Sequence, residues 1–130
     1  MAMRKAAVIL AVPALLGALG GTAQAEPAAF ECSSGYVCFY TGVGGTGDRC
    51  QWQNASRQHA DDCSWAATTN VNSVYNHGTS TAYSGVCFYR LPNYDRSQGS
   101  WYLPQGHREN LGPGGYKVLS HRWVTSEAQC

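Results

Sequence analysis

The tetrapeptide Val-Cys-Phe-Tyr occurs twice in this chain of 130 residues, at 37–40 and at 86–89, an offset of 49. Ser73 in "NSVYN" and Ser120 in "LSHRW" stand 47 apart, so they keep nearly the same relation to the two copies. The spacing points to two like halves, about 32–80 and 81–130. In an extended strand successive side chains point to opposite faces. Val37 and Phe39 then share one face and Cys38 and Tyr40 the other, with the same division at 86–89. Two Val/Phe faces of this kind can cover one another. The repeat reads as scaffold, not chemistry.

The rest of the chain has the same texture. Short runs rich in aromatic and β-branched residues, "GYVCFYT", "RCQWQ", "NVNSVYNHG", "GVCFYRL", "SWYLP" and "YKVLSHRWV", are separated by clusters of Gly, Asn, Ser and Pro. "GVGGTG" and "PNYDRSQG" read as turns and "QGHRENLGPGG" as a loop, with a short helical turn near "SRQHADDCSW". No window carries a helical period over ten residues. The expectation is an all-β Greek-key sandwich of two four-stranded motifs, packed face to face over a shared core.

Residues 1–25 have a different character. Arg4 and Lys5 precede an apolar run over 6–20, and Ala23-Gln24-Ala25 follows as a small-x-small cleavage site. That pattern predicts a secretory signal peptide over 1–25, an extracellular protein and no membrane association after cleavage. Residues 26–130 then form a single domain carrying seven basic and eight acidic residues. This near-neutral balance offers no footprint for nucleic acid. All six cysteines lie in that part: Cys32, Cys38, Cys50, Cys63, Cys87 and Cys130. An even count in a small exported domain reads as a disulfide framework, for which six cysteines allow 15 pairings. Cys32 and Cys38 are close in sequence with Gly35 between them, so they pair. Cys50 with Cys63 and Cys87 with Cys130 are the simplest completion. Closing the last loop is worth about 4 kcal/mol on the loop-entropy account.

Catalysis and cofactors find little support. The chain has no GxSxG, HExxH, CxxC or HxxxH spacing. "GVGGTG" follows a strand but opens no helix, so it is a turn and not a phosphate cradle. His59, His77, His107 and His121 lie in separate segments, and Asp61-Asp62 and His107-Arg108-Glu109 read as solvated. The protein is therefore expected to be no enzyme, to need no cofactor and to hold no metal.

At this point the residues resemble known proteins. The βγ-crystallin motif is an aromatic, four residues, an aromatic, any residue and glycine, with a serine in a later strand. Tyr40, Gly45 and Gly47 follow that spacing, with Gly45 where the second aromatic belongs. Tyr89 and Tyr94 supply both aromatics in the second half, with the glycine displaced to Gly99, and Ser73 and Ser120 match the serines. "CSSGYVCFYTGVGGTG", "NSVYNHGT" and "LGPGGYKVLSHRW" are similar to segments of the small secreted metalloproteinase inhibitors of streptomycetes, which share that fold. The βγ-crystallin calcium positions would fall on Thr68, Thr69, Gly115 and Tyr116, a poor oxygen set for that ion.

The resemblance implies a monomeric inhibitor whose partner is a secreted, thermolysin-type metalloprotease. It would enter the active site as a substrate does, with Cys87-Phe88 as the inhibitory reactive bond: a disulfide-bonded cysteine followed by a bulky apolar residue. In that family the cysteine closes a short disulfide loop, and none can start at Cys87. The same residues also allow Phe88 to be a core strand position. The alternative function is a carbohydrate or cell-wall (chitin) binding, antimicrobial protein, in which Trp52, Trp65, Trp101 or Tyr102 would stack on sugar rings.

Overall fold

A computed structural model describes residues 29–130; the leader expected over 1–25 lies outside the described residues. Seven strands form two antiparallel sheets: β1 (Val37–Tyr40), β2 (Arg49–Trp52), β3 (Ser73–Asn76), β4 (Gly85–Tyr89), β5 (Ser100–Pro104), β6 (Arg108–Asn110) and β7 (Ser120–Val124). The first sheet has the order β2-β1-β3-β6 and the second β5-β4-β7. Each copy of the repeat is an interior strand: β1 lies between β2 and β3, β4 between β5 and β7.

The alternation within the repeat sets the packing. Val37, Phe39, Val74, Val86, Phe88 and Leu103 meet between the sheets, with Val71 and Val118 closing the cluster. Phe39 and Phe88 sit at its centre, rings edge to face at 5.8 Å. The opposite faces carry Cys38 and Tyr40, Cys87 and Tyr89; Phe30 and Cys32 cover the first and Cys130 the second, each segment held by a disulfide. Cys38 bonds Cys32 and Cys87 bonds Cys130, while Cys50–Cys63 ties β2 to the loop after it.

The two halves are not separate four-stranded sheets. "QGHRENLGPGG", expected as loop, contains β6, and β6 leaves its own half to pair with β3 across the interface. Its counterpart in the first half is a single bridge, Ser56 to His121 of β7. Arg-Glu-Asn carries no apolar alternation, because β6 is an exposed edge strand and gives the core nothing to read. The helical turn expected near 56–65 is a 3-10 turn over His59–Asp61.

Each serine clamps the turn of its own half. Ser73 Oγ accepts from the Gly45 N–H at 2.8 Å and donates to the Gly42 carbonyl at 2.7 Å. Ser120 Oγ accepts from the Tyr94 N–H at 3.1 Å and donates to the Leu91 carbonyl at 2.6 Å. A buried hydroxyl that satisfies two turn groups folds each hairpin down onto its own sheet.

Candidate functional site

The expected reactive bond, Cys87-Phe88, is enclosed in the fold. Cys87 is fully buried and Phe88 2% exposed, in the middle of β4. Cys87 is in register with Tyr102 and Arg122, and Phe88 with Trp101 and His121. A protease cleft pairs with an extended, unpaired backbone, and both edges of this one are taken. The bulk after Cys87 that suggested a protease contact is bulk the core requires.

Exposed chain of the needed kind lies just before β4. Residues 79–84, "TSTAYS", are all exposed, and among the described residues Tyr83 and Val43 are the large apolar side chains most open to solvent, at 41% and 60%. The segment is pinned at both ends. At its start, the His77 N–H donates to the Tyr36 carbonyl at 2.9 Å and the Gly35 N–H to the His77 carbonyl at 2.7 Å. His77 Nδ1 adds a bond to the Cys32 carbonyl at 2.8 Å, so the connector leaves from the short Cys32–Cys38 disulfide loop. Beneath it, buried Asn76 donates to the Leu103 carbonyl of the other sheet at 2.8 Å and accepts from the Gly78 N–H at 2.9 Å.

Further along, Gln105 donates its side-chain amide to the Ser80 carbonyl at 2.8 Å and its backbone N–H to the Ser84 carbonyl at 3.0 Å. The Ser84 N–H reaches the Val124 carbonyl at 2.9 Å, and Ser84 Oγ shares a 2.8 Å bond with Tyr102 Oη. Beside the connector runs a cleft of about 320 Å³, walled by Gln53, Asn54, Tyr83 and Trp123. Trp123 is fixed by its indole N–H on the Gln53 carbonyl at 2.9 Å. The result is a short exposed segment on a rigid frame, with one projecting aromatic ring. Val43 projects further, but from a hairpin tip wound through Gly44 and Gly45 at positive φ, a backbone that cannot extend into a cleft.

The tryptophans proposed for sugar stacking mostly face inward. Trp52, Trp65 and Trp101 pack against the core; Trp101 stacks on Tyr116 at 4.1 Å and on Phe88 at 6.0 Å. Tyr102 joins the cluster around Cys87 and Tyr89. Of the four calcium-motif positions, Gly115 packs on the Val71 carbonyl, the Thr68 and Thr69 hydroxyls turn to each other, and Tyr116 stacks on Trp101. Among the described residues no cluster of three or more His, Cys, Asp or Glu could hold a metal ion, and no helix is long and apolar enough to cross a membrane.

One pairing escaped the sequence. His59 and His121, 62 residues apart, are both buried, with His59 Nε2 2.7 Å from His121 Nδ1. Burial, and then the charge of His121, pushes His59 well below the ordinary histidine range, against a hydrogen bond to the Val118 carbonyl. Burial likewise lowers His121, against the Asn54 carbonyl. No local signal marks this pair, since each histidine sits in a segment whose pattern is complete without it.

Comparison with known proteins places this geometry. No curated protein matches the chain. The model of peptidase inhibitor family I36 matches residues 25–103, more than half of the sequence. The chain belongs to peptidase inhibitor family I36. The match ends at Leu103 in β5, so it takes in the short disulfide loop, the connector and β4 but not β6 or β7. Among solved structures, a βγ-crystallin from Ciona intestinalis is similar with a TM-score of 0.50 at 15% identity, covering 68% of this chain and 99% of that one. A second, described as "Evolution of the eye lens beta-gamma-crystallin domain fold", gives a TM-score of 0.53 at 15% identity, covering 78% and 96%. The fold is βγ-crystallin-like, and the family is one of protease inhibitors.

Proposed function

We propose that residues 1–25 are removed on export and that residues 26–130 act outside the cell as one monomeric domain. That domain inhibits a thermolysin-type metalloprotease by occupying its active-site cleft as a substrate would. Family membership supports inhibition, and the observation that carries the mechanism is the connector 77–84. It is exposed over 79–84, held at both ends, and attached to the one short disulfide loop of the molecule. Thermolysin-type proteases favour a bulky apolar residue just after the attacked bond, and Tyr83 offers one after Ala82. Rigidity matters because a segment ordered before binding loses little freedom on docking. Inhibition by occlusion needs no catalytic group of its own, in keeping with a site made of backbone, amides and one aromatic.

The test is a titration of the oxidised protein against a thermolysin-type metalloprotease, with a subtilisin-type serine protease alongside. Stoichiometric loss of the metalloprotease activity alone is the expected result. Loss of the serine protease activity instead would move the target to another class, and loss of neither would remove the mechanism.

A further inference from the structure

The buried row formed by Val118, His59, His121 and Asn54 contains one more hydrogen bond than two neutral imidazoles can fill. Along it, the Val118 carbonyl faces His59 Nδ1 at 3.1 Å, His59 Nε2 faces His121 Nδ1 at 2.7 Å, and His121 Nε2 faces the Asn54 carbonyl at 2.9 Å. A carbonyl oxygen only accepts, so each outer contact needs a ring N–H. The central contact needs a third proton, because two bare nitrogens at that distance would oppose their lone pairs. Two neutral imidazoles bring only two.

We propose that this row is a proton-binding site: in the folded protein His59 and His121 together hold three ring protons, the third lying between Nε2 of His59 and Nδ1 of His121. No bond other than N–H changes; folding above the ordinary imidazole pKa takes one proton from solvent, and unfolding returns it. The inference is independent of the protease reading.

Burial lowers each histidine taken singly; against it stand a proton shared by two ring nitrogens at 2.7 Å and two features of the surroundings. All three bonds in the row become charge-assisted, which makes each stronger than its neutral form. The Trp52 ring also lies flat on His59, centroids 4.0 Å apart and 18° from parallel, a face that attracts a cation. Phe39 closes the pocket at 5.0 Å from His59 and 5.7 Å from His121.

The charged groups on the elements around the row are engaged elsewhere or exposed. Asp62 meets the indole N–H of Trp52 at 3.5 Å, and Asp61 is exposed. Arg122 of β7 reaches Tyr89 Oη and the Gln129 carbonyl, while Arg57 lies over Tyr94. Arg49 of β2 bonds the Glu31 carbonyl, and Lys117, beside Val118, is exposed. A fourth proton would place two charges in one buried site and is excluded.

The sign of the pH dependence separates one proton from none. Above about pH 6.5 the two histidines of the unfolded chain are neutral. The folded pair then holds one proton more, so the folding constant should drop about tenfold per pH unit as pH rises. Below about pH 6.5 the unfolded chain holds two protons and the folded pair one, so the constant should again drop about tenfold per unit as pH falls. A neutral pair would instead give a flat line above that pH and a loss of about a hundredfold per unit below it.

Urea unfolding of the full, oxidised chain between pH 5.5 and 8.5 reads these slopes. Imidazole nitrogen–proton NMR of the same protein at pH 7.5 counts the protons directly, with His77 and His107 assigned in the same spectra. Three protonated nitrogens out of four on His59 and His121, with greatest stability near pH 6.5, is the expected result. Two protonated and two bare nitrogens, or a folding constant unchanged between pH 7 and 8.5, would overturn the proposal.

Discussion

The two copies of Val-Cys-Phe-Tyr are built alike and completed differently. Around β4, Tyr94 follows in the same hairpin and packs on Tyr89, ring centroids 5.8 Å apart, with Arg57 and Arg122 against its ring. Around β1 the corresponding position is Gly45, which has no ring to offer. Phe30 arrives from the N-terminal arm instead and packs on Tyr40 at 5.7 Å, with Arg108 over it. A Cβ on Gly45 would collide with Phe30, and the Phe30 N–H bonds the Gly45 carbonyl at 3.0 Å. The exchanged strand segments supply an arginine in each case, Arg57 from beside the Ser56 bridge and Arg108 from β6. What the fold requires is an aromatic ring over the outer tyrosine with a cation against it. It does not fix where in the chain that ring originates.

The largest test of the likeness concerns the inner face. Phe39→Ala and Phe88→Ala each remove a buried ring from the same contact and should cost about 3–5 kcal/mol in urea unfolding. Because Phe88 is core, its truncation should leave inhibition per folded molecule unchanged. Tyr83→Ala should do the opposite: stability within about 0.5 kcal/mol of the parent, and inhibition at least about tenfold weaker, as befits an interface anchor. A Phe88→Ala protein that remained folded but failed to inhibit would return the reactive bond to β4.

The staples should differ where the halves differ. Removing Cys87–Cys130, which spans 43 residues, should cost about 4 kcal/mol on the loop-entropy account. Removing Cys32–Cys38, which spans 6, should cost about 2.2 kcal/mol by the same account. The smaller loss has a second consequence, since this loop carries the Cys32 carbonyl and the Gly35 N–H that hold His77. Proteolysis of residues 79–84 should speed up in Cys32→Ser/Cys38→Ser and stay unchanged in Cys87→Ser/Cys130→Ser. Equal losses of stability, or equal cleavage, would show that the terminal arms are held by their packing instead of by their bonds.

The outer rings come next. Phe30→Ala and Tyr94→Ala should each cost about 1–2 kcal/mol, since both rings are half-buried. A loss confined to Tyr94→Ala would mean that the arm contributes nothing and the first half is truly missing a ring.

What could be read from the sequence divides along the same line. The alternation of Val37, Phe39, Val86 and Phe88 dictates which faces meet, and Ser73 and Ser120 keep the spacing of the repeat, so the sandwich was legible. Gly45 made the first motif look incomplete, because a local spacing rule cannot see Phe30 arriving from 15 residues earlier. β6 was silent, since Arg108–Asn110 owes its strand conformation to the open edge of β3 and not to apolar periodicity. The reading of Cys87-Phe88 stayed double for a related reason: Cys-Phe fits a protease subsite and a core strand alike, and the pairing of β4 on both edges is invisible in the local sequence. The connector, bare of motif, shows itself only when burial is known.

The last contrast lies in the backbone of the two hairpins. Gly44 and Gly45 have φ of 64° and 73°, and their counterparts Asn93 and Tyr94 have 59° and 60°. The first hairpin adopts this left-handed turn without steric cost, and the second does so with two side chains. Asn tolerates that region better than most residues, whereas Tyr is held there by the ring contacts that Phe30 supplies to the first half. A Cβ at Gly44 would meet nothing within 4 Å, so Gly44→Ala isolates the backbone term from any clash. It should cost about 1 kcal/mol, the left-handed penalty less the entropy that glycine gives up on folding. Asn93→Gly removes a smaller penalty and adds chain entropy, and should change stability by no more than about 0.5 kcal/mol. A loss well above about 1 kcal/mol in Asn93→Gly would show that the asparagine side chain itself supports the second turn, which would make the two hairpins alike in shape but unlike in what holds them.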